Sequence, residues 1–523
     1  MKTPILGSSY VARSINAADA RMVNLFPEIV PEAGKEPAFL NRAPGLLLLN
    51  TIGTGPIRGL WAFSSSDSTA FVVSGTELYK ITTAYVPTLI GTVAGTGPVS
   101  MTDNGAVLII AANGPTYTYL NLPGDPLDGD FRQITDAGFP GAVTVAYLDS
   151  YFVFNAPNSQ QMYILSTQTA TGYIYPLVFD PTEFASVEGS PDGLVAVIAN
   201  FREVWAFGTN SIEVWSDTGA TDFPLQRIPG AFNELGCAAP YSIAKMDNGL
   251  FWLGRDRRGQ GIVYRANGYA GQRISTHAVE WQIQQYSDLS DAVAYTYQQD
   301  GHSFYVLIFP TANTTWVYDV ATQAWHERAG WNNGEFTRHR SNCQMTFGNN
   351  VIVGDYQDGN IYAFDLEDYS DNGSIQKWLR SWRALPTGQN NLKRTAQHSL
   401  QLDIESGTGL NGSMIVEVIY LQTEDGDYLV TESGDRLIAD QQTAITQGSD
   451  PEVMLRWSDD GGHTWSSEHW AKIGKIGEYY RRVFWRRLGM TVKLRDRVYE
   501  LSGTDPVKIS IMGAELILSP TNA

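Results

Sequence analysis

Turn signals recur along this chain at a spacing that few folds accommodate. An Asp or Asn in a turn-forming context precedes an apolar strand seven times: "SSDSTAFVV" (Asp67), "TDNGAVLII" (Asp103), "LDSYFVF" (Asp149), "PDGLVAVI" (Asp192), "MDNGLFWLG" (Asp247), "QDGHSFYVLIF" (Asp300) and "FGNNVIVG" (Asn349). The steps are 36, 46, 43, 55, 53 and 49 residues. Asp-Gly and Asn-Gly favour two-residue hairpin turns because such turns need positive φ. A second strand rich in Tyr or Trp usually follows, as in "GTELYKI" (75–81), "PTYTYL" (115–120), "SIEVWS" (211–216), "GIVYRA" (261–266), "TTWVYDV" (314–320) and "GNIYAFD" (359–365). Units of 40–50 residues built from several short strands are the signature of propeller blades. Stacked β-sandwiches also space turns closely, but the regular beat favours a propeller.

The fold class expected is therefore all-β: a β-propeller of about seven blades over 56–375, with a C-terminal β-sandwich-like domain over 376–523. Past "QKWLRSWRALP" (376–386) the beat changes, and strands such as "SLQLDIE" place Leu400, Leu402 and Ile404 on one face. Residues 424–450 read as an acidic inserted hairpin. Residues 1–55, with "FPEIVPEAGKEP", read as an extended arm that packs on a neighbour or closes the propeller.

At 523 residues the chain exceeds what one compact core usually supports. Its net charge of −19, from 55 acidic against 36 basic residues, argues against a general nucleic-acid binder, whose affinity comes from neutralising phosphates. Two cysteines, Cys237 and Cys343, make neither a disulfide framework nor a cysteine zinc site. The opening "MKTPILGSSYVARS" lacks the apolar core of a signal peptide. The longest apolar runs are too short to span a bilayer. A soluble protein made in a reducing cytoplasm is expected.

Catalytic signatures are sparse. There is no Gly-x-Ser-x-Gly elbow and no His-Glu-x-x-His; both Gly-Lys pairs lack the following Ser or Thr of a P-loop. "DYSDNG" (368–373) resembles half of an EF-hand loop, but its twelfth position is Leu379, which cannot close a calcium shell. The seven scattered histidines read as structural. No cofactor, no metal site and no catalytic residue are expected.

The most specific word is "SDDGGHTW", an Asp-box: Ser458, Asp460, Gly462, Thr464 and Trp465. Its Asp is suited to accept backbone N–H bonds across a turn, Gly462 to adopt left-handed backbone, and Trp465 to bury its ring beneath. Sialidases carry several such boxes, with an arginine cluster and a tyrosine–carboxylate pair besides. A single box outside the repeats reads as a hairpin staple.

One basic concentration stands against the acidic background. Residues 472–500 hold nine Lys or Arg against three acids. If 479–488 is a strand, Arg481 and Arg487 share a face with Tyr479, Val483 and Trp485, while Arg482 and Arg486 share the other with Tyr480 and Phe484. Arginine interleaved with aromatics suits a protein interface or stacking on nucleic acid; a solvated strand is the plain alternative. A basic face finds complementary charge on another copy of an acidic protein.

Longer phrases carry a family resemblance: "PDGLVAVIANFREVWAFGTNSIEVWSDTG" (191–219), "GCAAPYSIAKMDNGLFWLG" (236–254), "GHSFYVLIFPTANTTWVYDVATQAWHER" (301–328) and "WSDDGGHTWSSEHWAKIGKIGEYYRRVFWRRLG" (457–489). With the opening "NLFPEIVPEAGKEPAFLNRAPGL" (24–46), these resemble the packaged-DNA stabilisation proteins, or tail hub (nozzle) proteins, of short-tailed double-stranded DNA phages. The resemblance implies a virion component without enzymatic activity. It implies a homohexamer below the portal and its adaptor (head-to-tail connector) protein, closing the channel and retaining packaged DNA until ejection. The implied partners are a tailspike or tail fibre, a tail needle or plug, and double-stranded DNA passing through an acidic channel without specific binding. In that setting Arg481, Arg482, Arg486, Arg487, Tyr479 and Trp485 form a candidate subunit or adaptor interface. Two other readings are a receptor- or glycan-binding propeller of the phage tail and a sialidase-like glycosidase.

Overall fold

In a computed structural model the chain is described apart from residues 15–17, 33, 170–171, 174, 188, 191, 221–222, 256–258, 260, 389–393, 412–414, 421–430, 432–437, 445–446, 492–496 and 522–523. It is almost entirely β; the α-helix among the described residues is His277–Ile283.

Seven antiparallel sheets follow one another as blades, spanning 57–92, 100–133, 145–186, 194–233, 236–273, 293–327 and 341–365. Blade 6 shows why the sequence folds this way. Val293–Gln299 and His302–Phe309 are joined by Asp300 and Gly301, with φ of 52° and 78°, so Gln299 faces His302 across a two-residue turn. "HSFYVLIF" is buried almost throughout because neighbouring blades cover both of its faces. One hydrophobic cluster sits at each blade junction, and the last joins Met345, Phe347, Ile352 and Ile361 of blade 7 to Ile57, Leu60 and Ala70 of blade 1. The ring is thus closed by packing.

Turn to turn, the repeat is more even than the Asp and Asn markers imply. Asp192 does not mark a hairpin between the first two strands of a blade; it precedes the inner strand Leu194–Asn200, and its carboxylate accepts from the N–H groups of Asn210 and Ser211. The equivalent hairpin of blade 4 is Phe201–Arg202, where Asn200 faces Glu203. Stepping from 149 through 201 to 247 gives intervals of 52 and 46 residues in place of 43 and 55.

The first 55 residues are divided between both domains. Gly45–Thr51 pairs with Asn360–Asp365 and supplies the outer strand of blade 7. Leu25–Ile29 and Ala38–Arg42 extend a C-terminal sheet that continues through Ser510–Pro520, Thr395–Ile404 and Val483–Met490. The facing sheet holds Trp378–Arg383, Val498–Gly503, Glu452–Ser458 and His469–Lys472. Between them lies a core that includes Leu400, Leu402, Trp485, Leu516, Trp378, Trp382, Tyr499 and Leu501, which makes the domain a β-sandwich. Of the insertion at 424–450, Ile438–Ala444 pairs antiparallel with Ile415–Tyr420; the turn signals at 424–430 and 432–435 lie outside the described residues.

Propeller and sandwich share one hydrogen-bonded sheet. Met22–Val23 lies parallel to blade 6 at Glu327 and antiparallel to Trp378–Arg383 at Leu379 and Arg380, giving nine strands in register. Arg42, 3% exposed, clamps the same junction: it donates to the carbonyls of Tyr369 (3.0 Å), Gln376 (2.5 Å) and Val507 (3.0 Å).

Candidate functional site

The Asp-box closes the hairpin between Glu452–Ser458 and His469–Lys472. Asp460 Oδ1 accepts from the Ser458 hydroxyl (2.6 Å) and from the backbone N–H of His463 (3.0 Å) and Thr464 (2.9 Å). Oδ2 accepts from the Thr464 hydroxyl (2.7 Å), and Gly462 N–H donates to Ser458 Oγ (2.8 Å). These donors, the Ser458 hydroxyl foremost, hold the Asp460 carboxyl well below the usual range. Gly461 and Gly462 take φ of 78° and 100°, where a side chain is strained. The side-chain oxygens of Ser458, Asp460 and Thr464 are thereby all engaged in holding the turn.

Trp465 departs from the expectation of a ring buried beneath the box. It is half-buried, with the Arg456 guanidinium 4.8 Å from its centroid. The buried anchor is a pair the sequence reading missed. Asp459 receives Arg497 Nε (2.6 Å) and Nη2 (2.7 Å), while Nη1 donates to the Leu488 carbonyl (2.6 Å). The fork ties the box to the strand Val483–Met490 with bidentate geometry. Two oppositely charged residues 38 apart in sequence announce nothing until the fold joins them.

The basic segment is not a regular strand over 479–488. Tyr479 to Arg482 precede the strand Val483–Met490, and Arg487 takes φ of 59° at a bulge opposite Gln397 and Ser399. The bulge breaks the two-residue alternation, so Arg487 shares no face with Val483 and Trp485. Those two and Leu488 face the core; Trp485 is 6% exposed and donates from Nε1 to the His469 carbonyl (2.8 Å). Trp485 thus belongs to the sandwich interior, not to an interface. Arg481, Arg482, Arg486 and Arg487 are exposed, as are Tyr479 (69%) and Tyr480 (95%). Arg486 lies 4.4 Å from the ring centre of Phe484. Among the described residues, none of these four guanidiniums is ion-paired; Lys493 and Arg495 lie outside them.

The inner strands of the blades surround a cavity of about 450 Å³. Its lining includes Trp61, Ser100, Thr144, Tyr147, Tyr241, Asn342 and Gln344, and its charged members are Arg58 and Lys245. Arg58 is buried and spends its N–H groups on the carbonyls of Gly75, Val93, Ala94 and Gly97. Neither Asp nor Glu is among the residues lining this cavity, so it offers no carboxylate pair of the kind glycoside hydrolysis uses.

A family model described as "Bacteriophage P22 Gp10, beta-propeller" matches residues 1–369, and one described as "Bacteriophage P22 Gp10, beta-sandwich" matches residues 429–518. Among curated proteins, the chain is similar to the tail hub protein gp10 of Salmonella phage P22. The two are 22% identical over 302 residues, which span 54% of this chain and 59% of that protein. Among solved structures, the chain is distantly similar to a streptogramin B lyase, at 12% identity over 65% of this chain and 97% of that one with a TM-score of 0.37. It is similar also to virginiamycin B lyase from Staphylococcus aureus, at 10% identity over 61% and 99% with a TM-score of 0.40.

Proposed function

This chain belongs to the bacteriophage P22 Gp10 family, and from that premise we propose that it is a tail hub, a structural and non-catalytic component of a short-tailed virion. Six copies form a ring below the portal and its adaptor, extend the channel, and retain packaged DNA until ejection. The ring also presents the tailspike or tail fibre and the needle or plug.

One observation carries the mechanical part of this reading. The sheet that begins in blade 6 runs through Met22–Val23 into the sandwich, so load on either domain passes to the other through backbone hydrogen bonds. A closed propeller whose blade junctions are all packed with buried aromatic and aliphatic side chains resists deformation, because interiors at crystal-like density leave little room to yield. Charge supports the second half. A chain of net charge −19 lining a channel repels a polyanion and denies it the phosphate contacts that hold DNA elsewhere. DNA slides past such a wall without being captured.

Imaging of isolated virions or tails tests the proposal. The expected result is a six-fold collar of this protein beneath the portal. Its absence from the tail, or turnover of a sialoside by the purified chain, overturns it.

A further inference from the structure

Two surfaces of this molecule are complementary to each other. The first lies on the sandwich, where Tyr479, Tyr480, Phe484 and Ile517 are exposed beside the four arginines 481, 482, 486 and 487. The sheet places Arg486 opposite Ser399, and Ser399 opposite Ile517, with Phe484 and Glu515 flanking Gln401, so Phe484, Arg486 and Ile517 share one face and the loop 479–482 leads into it.

The second lies on the outer edge of blades 2 and 3. The loop 121–138 and the segment 175–184 pack together there: the Tyr175 hydroxyl donates to Asp130 Oδ2 (2.8 Å), and the rings of Phe139 and Phe179 lie 5.1 Å apart. Leu127 (41%) and Val178 (67%) are exposed on this edge, among Asp125, Asp128, Asp136, Asp180 and Glu183. Arg132, the arginine within that loop, is already held by Asp130 (2.5 Å). Burial, and then the charge of Asp180, push the Glu183 carboxyl up.

We infer that these surfaces meet between copies: the arginine-bearing aromatic face of one sandwich seats the acidic, apolar-tipped edge of blades 2 and 3 of the next molecule. Opposite charge rims apolar centres on both sides, which is how protein interfaces are composed. The basic face is arginine where it matters, and arginine pairs with carboxylates bidentately while stacking on rings. Because the two surfaces differ, the contact is heterologous: each copy uses both, and repetition closes a ring if the rotation permits. The inference rests on the tail hub reading for its setting.

Two variants decide it, produced in place of the natural chain by the virus that encodes it. One carries Arg481→Glu, Arg482→Glu, Arg486→Glu and Arg487→Glu; the other carries Asp136→Lys, Asp180→Lys and Glu183→Lys. Each purified chain must show the wild-type unfolding midpoint, so that loss of assembly is not loss of fold. Alone, each variant is expected to drop out of assembled tails by at least about tenfold, since like charges then face each other. Supplied together, they are expected to re-enter tails, because every reversed surface meets a reversed partner and every natural surface a natural one. Incorporation of either variant alone at the wild-type level overturns the pairing, as does failure of the mixture. Absence of the wild-type chain from tails is a different result, which removes the hub reading itself.

Discussion

Phe201 and Arg202 hold φ of 57° and 108° in a turn that elsewhere in this propeller is made by Asp247–Asn248, Asp300–Gly301 and Gly348–Asn349. A left-handed conformation costs a side-chain-bearing residue about 1 kcal/mol or more, least for Asn and nothing for Gly. Phe201→Asn with Arg202→Gly is therefore expected to stabilise the chain by roughly 1–2 kcal/mol, raising its urea midpoint; the Arg202–Asp149 ion pair it removes is exposed and contributes little. An unchanged or lowered midpoint contradicts the strain argument. The same pair explains a gap in what could be read. Turns with Asn, Asp and Gly declare themselves because their backbone demands those residues, whereas a hairpin built from Phe and Arg is invisible and the eye moves to Asp192 instead. Titration supplies a second residue-scale test. His326 and His339 are buried and neutral, His339 pushed down to about 3 by burial and His326 well below its ordinary value for the same reason. A histidine depressed in the fold contributes stability above its unfolded pKa of about 6.5 that is lost as pH falls, because the unfolded chain takes the proton. Asp371, raised to about 7 by burial, works the other way: the native state takes its proton first, so stability is gained between about pH 7 and 4. Each such histidine costs up to about 1.4 kcal/mol per pH unit as pH falls near 5. His326→Phe, which replaces a ring with both nitrogens unpartnered, is expected to flatten that slope in denaturant titrations from pH 6.5 to 4. An unaltered slope refutes the assignment.

Strand type was legible at the level of the element, and strand partnership was not. Alternation placed Leu400, Leu402 and Ile404 on one face, and all three are in the sandwich core. Nothing in "GLLLLNT" says that it completes a blade whose other strands lie some 300 residues later, because pairing depends on proximity that only the closed ring creates. The basic segment misled for a related reason: a single left-handed residue, Arg487, shifts the alternation, and periodicity alone cannot foresee a bulge. The closing strand is testable through Leu46, fully buried against Tyr297, Val353 and Phe364 of blades 6 and 7. Leu46→Ala leaves a cavity at the closure and is expected to cost about 2–5 kcal/mol, read as a lowered thermal midpoint. An effect below about 0.5 kcal/mol, the range of an ordinary surface substitution, shows that the strand is not structural.

For the whole molecule, the shared nine-stranded sheet and the Arg42 clamp predict that propeller and sandwich melt together. Calorimetry of the intact chain is expected to show one transition; two separated peaks contradict the coupling. Arg42→Met leaves carbonyls from Tyr369, Gln376 and Val507 buried without their donor, and is expected to lower that transition by at least about 3 kcal/mol of stability. The division into a repeating part and a non-repeating part was legible from turn spacing; their fusion was not, since it runs through two residues, Met22 and Val23, with no distinguishing composition. The order in which a ribosome delivers these strands then acquires a consequence. Ala38–Arg42 pairs with Ser510–Pro520, which is made some 470 residues after it, and Gly45–Thr51 waits for Asn360–Asp365. The nascent chain therefore carries unsatisfied strand edges for hundreds of residues of synthesis, and its yield in the cell depends on whatever shields them until the partner strands arrive.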